Sequence, residues 1–258
     1  MKSRMRVLVT FAVEAEFAPW RKLRNMATRE SRGITVYEAK IGRGDVDFVV
    51  TGMGMENARR TTQAVIRPEH KACIGAGFAG ALKSTLKIGD VLAARSVQAL
   101  GKSKTLECSG NLVMAACENQ AIEAKMFLTT DHVIGSAQEK KRLAPFADAV
   151  DMESFATVSV AREKNVSCVA VRVISDRFDQ DMPAEIDATV DESGRVKVGA
   201  VIKHVATHPL QVPALIRLGR QSKTAAEALA HFLEAFIREL SFRAHGWPPP
   251  DLAGIASR

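Results

Sequence analysis

The chain has 258 residues, 47% of them hydrophobic and 25% charged, which is the composition of a globular protein with one large α/β domain or two small ones. Its net charge of +7 comes from basic residues spread along the chain, with mild clusters such as Lys140, Lys141 and Arg142. Such dispersed charge is typical of a solvated surface. With a single tyrosine, the chain lacks the aromatic platforms of a single-stranded nucleic-acid binder, so we expect no nucleic-acid partner.

The sequence also argues against a membrane anchor, a disulfide framework and a metal site. Its apolar runs fall well short of the ~20 residues that span a bilayer. The first of them, residues 7–13, ends at Glu14 and is too short for a signal peptide. The four cysteines show no C-x-x-C spacing. We therefore expect a cytoplasmic protein with no stable membrane insertion, no metal and no cofactor.

Strand-like and helix-length segments alternate along most of the chain. Strands are predicted at residues 6–13, 34–41, 47–51, 72–75, 90–97, 125–130 and 166–175. Amphipathic helices are predicted at residues 14–23, 57–66, 136–146, 154–165 and 225–240. This alternation predicts an α/β fold around a central sheet. Two runs, 7–13 and 169–174, are apolar at nearly every position, which is typical of strands covered on both faces.

The C-terminal part departs from this alternation. Residues 182–222 are first polar and turn-rich and then punctuated by prolines, which predicts a helical excursion inserted before the last helix. Pro248, Pro249 and Pro250 cannot continue that helix, so residues 244–258 are predicted to be a flexible tail. The rest, residues 1–243, is predicted to be a single domain.

Two glycine clusters follow predicted strands. Residues 52–58 begin Gly-Met-Gly, and backbone N–H groups at the start of the following helix can face an anion or a sugar. Residues 75–80 match G-x-G-x-x-G, but the next stretch is irregular and no acid lies about twenty residues further on to hold a ribose. We interpret the second cluster as close packing at a strand end rather than as a dinucleotide site.

Two acidic residues stand at positions where ligands of α/β proteins bind. Asp176 follows the apolar run 169–174, and ligands of open α/β sheets bind at the carboxyl ends of strands. It is a candidate general acid, although an acid there can also be a helix cap or a salt-bridge partner. Glu153 begins a predicted helix, where the helix dipole alone would favour an acid.

Further candidates follow the first strand and the strand at 125–130. Glu14 and Glu16 come directly after the first strand, and one of them is expected to face the same cleft as Asp176. Asp131 and His132 follow the later strand, where a lone histidine is more often structural than functional.

Taken together, four blocks resemble the purine nucleoside phosphorylase / methylthioadenosine–S-adenosylhomocysteine nucleosidase superfamily over residues 5–181. They are Ala-Val-Glu-Ala-Glu at 12–16, the glycine-rich segments at 51–58 and 75–90, Val-Asp-Met-Glu at 150–153, and Val-Arg-Val-Ile-Ser-Asp at 171–176. The resemblance implies a three-layer α/β/α fold with a central mixed sheet, and a homo-oligomer, expected to be a dimer. It also implies cleavage of the N-glycosidic bond of a purine nucleoside, with adenine as the expected base.

The same resemblance implies a role for each matching residue. Asp176 protonates the purine, Glu153 binds the ribose hydroxyls with Met152 beneath the ring, and Glu16 orients the attacking water, with Glu14 as the alternative. The remaining substrate contacts are expected from Phe78, Ala79, Gly80, Val133 and Ile134. Protonation relieves the negative charge of the departing base, and a carboxylate at the ribose stabilises the positive charge that develops on the sugar.

Two departures from the family pattern favour water over phosphate as the nucleophile. Phe78 stands where relatives usually have a Ser or Thr, whose hydroxyl helps hold phosphate in the phosphorylases, and the phosphorylases' Gly-Asp-Pro block is absent. Arg43, in a Gly-Arg-Gly turn, is the remaining candidate for a phosphate contact, including one to a neighbouring subunit. Phosphorolysis with phosphate as co-substrate, and a nucleoside-binding module without turnover, are the two alternatives.

The excursion after Asp176 is expected to shape the pocket for the 5′ group of the nucleoside. Its apolar residues would cover a large or apolar substituent; they are Leu210, Val212, Leu215 and Ile216. This insert and the sequence Asp-Met-Glu-Ser at residues 151–154 are similar to those of the hopanoid-associated phosphorylase-like branch, which cleaves adenine from a lipid-bearing nucleoside. A methylthioadenosine-like substrate is the equally weighted alternative.

Overall fold

The computed structural model describes residues 5–182 and 212–243 of the chain. Within them the strands are β1 (Arg6–Phe11), β2 (Ala27–Ser31), β3 (Ile34–Ile41), β4 (Gly44–Val50), β5 (His70–Ala81), β6 (Val91–Ala99), β7 (Thr105–Glu107), β8 (Ile122–Thr129), β9 (Ala149–Asp151) and β10 (Ser167–Asp176). The helices are α1 (Glu14–Lys22), α2 (Met55–Val65), α3 (Gly110–Glu118), α4 (Ala137–Leu143), α5 (Ser154–Glu163) and α6 (Val212–Arg243).

These strands form one mixed sheet that closes on itself at one end. Five strands make a ring in which β10 pairs with β6, β6 with β8, β8 with β9, β9 with β5, and β5 again with β10. From β5 the sheet continues outward through β1, β4 and β3 to β2, and β7 pairs with β6. The pairs β1–β5 and β5–β10 are parallel, whereas β5–β9 and β6–β10 are antiparallel.

The predicted central strands are buried, and helices cover them. Every residue of β10 is buried, as its nearly continuous apolar sequence predicts. Helix α2 packs on α5 and α1 packs on α6, with the Trp20 indole N–H donating to the Ala230 carbonyl at 3.0 Å. The prediction of a central mixed sheet with flanking helices is therefore confirmed.

The second glycine cluster lies inside a strand rather than after one, so its predicted position was wrong, whereas the close packing expected of it is present. Strand β5 continues through it to Ala81, because the glycines leave room for side chains from neighbouring elements. A Cβ on Gly77 would collide with the Arg172 guanidinium and lie 2.7 Å from Oε1 of Glu16. A Cβ on Gly80 would lie 2.9 Å from Oδ2 of Asp176. The glycines thus admit three charged side chains to the sheet.

The last helix begins at Val212, well before the predicted start at residue 225. Residues 183–211 and 244–258 lie outside the described residues, so the excursion, the tail and the single-domain boundary stay predictions. Among the helices that the structure describes, none is both long and apolar enough to cross a membrane.

A buried polar network stabilises the far side of the sheet. Asp47 on β4 is 1% exposed and accepts from Arg6 at 2.8 Å and from Arg29 at 2.7 Å. The Arg67 backbone N–H donates to Nδ1 of His70 at 2.9 Å, which leaves Nε2 of His70 to donate to Asp47 at 3.2 Å. Burial would raise the pKa of Asp47, but its hydrogen bonds to His70 and Arg29 lower that pKa to about 2.

This network predicts a specific loss of stability in acid. The folded-state pKa of Asp47 lies below its ordinary value of 3.8. The ionised Asp47 therefore makes its full contribution to the free energy of unfolding above about pH 4, and this contribution is lost as pH falls through about 2. The shift corresponds to about 2 kcal/mol of unfolding free energy. Urea unfolding at pH 6 should show Asp47→Asn less stable than the parent by at least this amount, and the gap should narrow near pH 2. Asp45→Asn, at a half-buried site on the same strand, is the control. A pH-independent gap would contradict this account.

Candidate functional site

A cavity of about 280 Å³ opens where β1, β5, β8, β9 and β10 end or approach their ends. Its volume lies close to the lower end of the range of small-molecule sites, roughly 300–1,000 Å³. The predicted site residues that line it are Glu16, Phe78, Ala79, Gly80, Val133, Ile134, Met152, Glu153 and Asp176. Residues from four of the sequence blocks therefore meet in one pocket.

Arg43 does not line this cavity. It lies in the turn between β3 and β4, and its guanidinium stacks on the Phe242 ring of α6 at 5.1 Å from the ring centroid. Its backbone N–H donates to the Ser241 hydroxyl at 3.0 Å. Arg43 is therefore not part of the described lining of this cavity, and a phosphate contact from it, including one to a neighbouring subunit, stays a prediction.

Backbone amides hold the Glu16 carboxylate in the cavity wall. Its Oε2 accepts from the N–H groups of Ala12 at 2.7 Å and Val13 at 3.1 Å, which ties the first turn of α1 to the end of β1. Its Oε1 accepts from the Phe78 N–H at 2.7 Å. A carboxylate has about four acceptor positions, so one remains for a ligand or a water molecule.

The alternative acids and the histidine lie elsewhere. Glu14 is not among the residues that line the cavity, and it pairs with Arg21 at 2.7 Å. His132 is half exposed and pairs with Asp131 at 2.7 Å and with Glu139 at 3.4 Å. Hydrogen bonds to these two acids raise the pKa of His132. Of these candidates, the geometry places Glu16 alone in the pocket.

Glu153 lies across the glycine turn from α2. Its Oε1 accepts from the Gly54 N–H at 2.8 Å, and the neighbouring Met53 also lines the cavity. Met152 lines the same wall, at the junction between β9 and α5. The first glycine cluster thus presents a backbone N–H as predicted, and in this structure that group contacts a carboxylate.

Arg172 is a fully buried arginine behind the cavity wall. Its Nε lies 2.7 Å from Oδ2 of Asp151 and donates to the Ser154 hydroxyl at 3.0 Å. Its Nη1 lies 3.4 Å from Oε2 of Glu153 and 3.4 Å from the Phe78 carbonyl. One guanidinium therefore orients two acids, Asp151 and Glu153, in the segment that leads from β9 into α5.

Three acids, Glu16, Asp151 and Glu153, lie around the single cation Arg172. The pKa values of two of these acids are raised. Burial raises the pKa of Glu153 to about 7, and the nearby charges of Asp151 and Glu16 add to this effect while Arg172 opposes it. Burial also raises the pKa of Glu16, against the opposing effects of Arg172 and the backbone amides. The pocket therefore carries excess negative charge, which suits a ligand that becomes positive.

The raised pKa of Glu153 predicts an acid limit to any activity that needs its carboxylate. Above about pH 7 the ionised group can accept hydrogen bonds from two hydroxyls, whereas below it the added proton removes acceptor capacity. The value of kcat/KM for base release should therefore fall as pH drops through about 7. A pH–rate profile measures this limb, and a rate that stays level down to pH 5 would contradict the prediction.

Asp176 ends β10 and is 5% exposed. Its Oδ1 accepts from the Ser175 hydroxyl at 3.1 Å, and its Oδ2 accepts from the ammonium group of Lys140. The Lys140 side chain is fully buried, and the carbonyls of Arg177 at 2.7 Å and Gln180 at 3.3 Å accept its other two hydrogen bonds. The candidate acid is thus paired with a cation inside the protein.

The cavity has a mainly apolar border on the side of α6. Leu218 and Ser222 reach the cavity from that helix, and Met182 reaches it from the segment after β10. The Met182 N–H donates to the Gly135 carbonyl at 2.7 Å, which fixes this segment against the loop after β8. The last helix therefore contributes to the pocket through Leu218 and Ser222, which lie within the segment 182–222 that was expected to shape it, although other residues of that segment had been named.

Sequence reasoning missed two charged residues of this site. A single arginine in the apolar strand 167–176 was a usable signal for Arg172, since a charge in a strand buried on both faces needs partners. Lys140 gave no such signal, because it belongs to a run of basic residues that resembles a solvated surface. Among the described residues, no group of three or more His, Cys, Asp or Glu side chains is arranged to hold a metal.

Comparison with known proteins places this geometry in context. A family model described as "Phosphorylase superfamily" matches residues 6–207. A 5′-methylthioadenosine/S-adenosylhomocysteine nucleosidase from Staphylococcus epidermidis is 28% identical over 180 residues, which cover 60% of this chain and 79% of the relative.

Solved structures show the same fold. The Helicobacter pylori 5′-methylthioadenosine/S-adenosylhomocysteine nucleosidase, solved with butyl-thio-DADMe-Immucillin-A, superposes with a TM-score of 0.72 at 19% identity and covers 92% of this chain and 99% of its own. A futalosine hydrolase mutant from the same organism superposes with a TM-score of 0.71 at 19% identity, covering 91% of this chain and 99% of its own. At such identities the likeness concerns the fold.

Proposed function

Because the chain belongs to the phosphorylase superfamily, we propose that it is an enzyme that hydrolyses the N-glycosidic bond of a purine nucleoside, with adenine as the base. The observation that supports this most directly is that Glu16 and Asp176 both line one cavity. Glu16 lies against Gly77 and Asp176 against Gly80, three residues further along β5. Both carboxyl groups line the same cavity of about 280 Å³, so a ribosyl–purine bond can lie between them.

Each end of the pocket matches one half of this reaction. At the sugar end, the ionised Glu153 accepts hydrogen bonds from the ribose hydroxyls, and Met152 packs beneath the ring. The excess negative charge of Glu16, Asp151 and Glu153 stabilises the positive charge that develops at the anomeric carbon. At the base end, Asp176 delivers a proton to the purine as the bond breaks, so that the base leaves as a neutral molecule.

Glu16 is the residue that directs water to the sugar. Three backbone N–H groups fix its carboxylate, and its raised pKa makes it a stronger proton acceptor than an ordinary glutamate. A water molecule held by the remaining acceptor position gives its proton to Glu16 as its oxygen bonds to the anomeric carbon. Phe78, Ala79, Gly80, Val133 and Ile134 then form the walls that contact the substrate.

The name of the Staphylococcus epidermidis relative supplies the substrate class. We propose a nucleoside whose 5′ group is a thioether, as in 5′-methylthioadenosine and S-adenosylhomocysteine. Met182 and Leu218 provide an apolar border suited to such a group. The lipid-bearing adenosine of the hopanoid-associated branch remains the alternative, and the acting unit is proposed to be a homodimer without a cofactor, located in the cytoplasm.

A substrate panel tests this proposal. Adenine release should be measured from adenosine and from adenosines that carry a 5′-methylthio, 5′-homocysteinyl or long 5′-alkyl group. Faster turnover of the short thioethers supports the proposed class, whereas faster turnover of the long alkyl nucleosides would replace it with the lipid alternative. Tight nucleoside binding without base release would identify a binding module instead of an enzyme.

A further inference from the structure

Lys140 is the least expected group near the pocket. It lies in α4 with a fully buried side chain, and its three N–H bonds meet three acceptors, namely Asp176, the Arg177 carbonyl and the Gln180 carbonyl. Burying an ammonium group has a large desolvation cost, and a buried ion pair is therefore weak evidence for a purely stabilising role. The carboxylate partner of this ammonium is the group that faces the purine in the proposed function.

The proposed chemistry needs a proton at this position. A carboxylate that is paired with an ammonium has no proton of its own to give, while the departing purine needs one. An ammonium group has three N–H bonds and no acceptor, so it can give a proton to a carboxylate that it contacts. The two groups are in direct hydrogen-bond contact inside the protein.

Resting on the proposed function, we infer that Lys140 is a positioning residue that holds the Asp176 carboxyl at the cavity wall and supplies the proton that Asp176 passes to the purine. One N–H bond of Lys140 breaks as an O–H bond forms on Asp176. That O–H bond breaks in turn as an N–H bond forms on the purine ring, which takes the electron pair of the glycosidic bond. Lys140 is left as a neutral amine and regains its proton from solvent after the products leave.

The other ionisable groups near Lys140 have partners of their own. Arg177 and Asp179 form an exposed pair at 2.7 Å, and Asp181 accepts from the Ala137 N–H at 2.7 Å. Glu139, next to Lys140 in α4, pairs with His132 at 3.4 Å. Asp176 is thus the one carboxylate, among the described residues, in hydrogen-bond contact with the Lys140 ammonium.

The pH–rate profile of Lys140→Met tests the inference, because three roles predict three different outcomes. If Lys140 supplies the proton, the variant must rely on the carboxyl proton alone, and the alkaline limb of kcat should move to lower pH by at least about one unit. If Lys140 only pairs with Asp176, its removal strengthens the hold of Asp176 on a proton, and the limb should move to higher pH. If its role is only structural, the limb should stay in place. Either of the last two results would overturn the inference.

The leaving group provides a second readout. A 4-nitrophenyl riboside departs without a proton, so Lys140→Met should hydrolyse it at nearly the parental rate while losing about 10²-fold or more in kcat on the adenine nucleoside. Equal losses on both substrates would show a structural role and overturn the inference. The exposed neighbour Lys141 gives the matched control, since Lys141→Met should leave both rates and the pH profile unchanged.

Lys140→Arg provides a variant that keeps the positive charge. Arginine does not lose its proton in proteins, so this variant should bind substrate with a nearly parental KM but show a reduced kcat on the adenine nucleoside. A parental kcat in a folded Lys140→Arg would also overturn the inference. Circular dichroism melts establish which variant is folded. If the parent protein releases no base from any nucleoside, the proposed function itself fails, which separates that failure from a failure of the role of Lys140.

Discussion

Asp176→Asn is expected to lower kcat for adenine release by ~10²–10⁴-fold, the usual contribution of a positioned general acid. The amide keeps the shape of the side chain but cannot take up a proton from Lys140 and pass it to the purine. The variant should be less stable than the parent, because Lys140 loses its charged partner. It should still fold, because the amide oxygen and the carbonyls of Arg177 and Gln180 accept hydrogen bonds from the Lys140 ammonium. Nucleoside binding should persist as well, because the groups that contact the ribose are unchanged.

The measurement is single-turnover adenine release together with a thermal melt of the same preparation. Asp179→Asn is the matched control, since Asp179 follows the same strand but is exposed and paired with Arg177. It should retain the parental rate. A folded Asp176→Asn protein with parental adenine release would remove Asp176 from the mechanism.

Arg172→Met is expected to lower the free energy of unfolding by ~3–5 kcal/mol, the range seen when one partner of a buried ion pair is removed. The substitution leaves the buried acids Asp151 and Glu153 without their shared cation. Burial and the charges of Asp151, Glu153 and Glu16 are the causes that shift the pKa of Arg172, with the three acids raising it above its ordinary value. Arg172 and these acids therefore stabilise one another.

Urea unfolding at pH 8 and at pH 5 measures this effect. The loss should be smaller at pH 5, because protonation of Glu153, with a pKa of about 7, removes one of the unpaired charges. Arg177→Met, at an exposed arginine that pairs with Asp179, is the control and should change stability by less than about 1 kcal/mol. If Arg172→Met also lost less than about 1 kcal/mol of unfolding free energy, the role given to Arg172 would be contradicted.

The fold was largely predictable where strands are buried, because buried strands have continuous apolar sequences. The continuous apolar runs of β1 and β10 identified the centre of the sheet, and the acid at the end of the second run, Asp176, identified the edge at which the pocket opens. Strand β2 escaped prediction because its sequence, Ala-Thr-Arg-Glu-Ser, is polar and mostly exposed at the sheet edge. Strand β9 escaped because three residues are too few to show an alternating pattern.

The sequence predicted the acidic residues of the candidate site but not its two buried cations, Arg172 and Lys140. Glu16, Glu153 and Asp176 stand at strand or helix ends, where local sequence indicates a ligand site. The partners that set their charge come from elsewhere in the chain. Lys140 precedes Asp176 by 36 residues, and the fold brings its side chain to the end of β10. No local sequence pattern predicts this contact.

Hydrolysis is the central claim, and the fate of the sugar tests it most directly. The protein is incubated with 5′-methylthioadenosine in phosphate-free buffer prepared with ¹⁸O-labelled water, and both products are analysed by mass spectrometry. We predict adenine release at the full rate, with one ¹⁸O atom at C1 of the released methylthioribose. Base release that appears only when phosphate is added, with a sugar 1-phosphate as the product, would contradict the account.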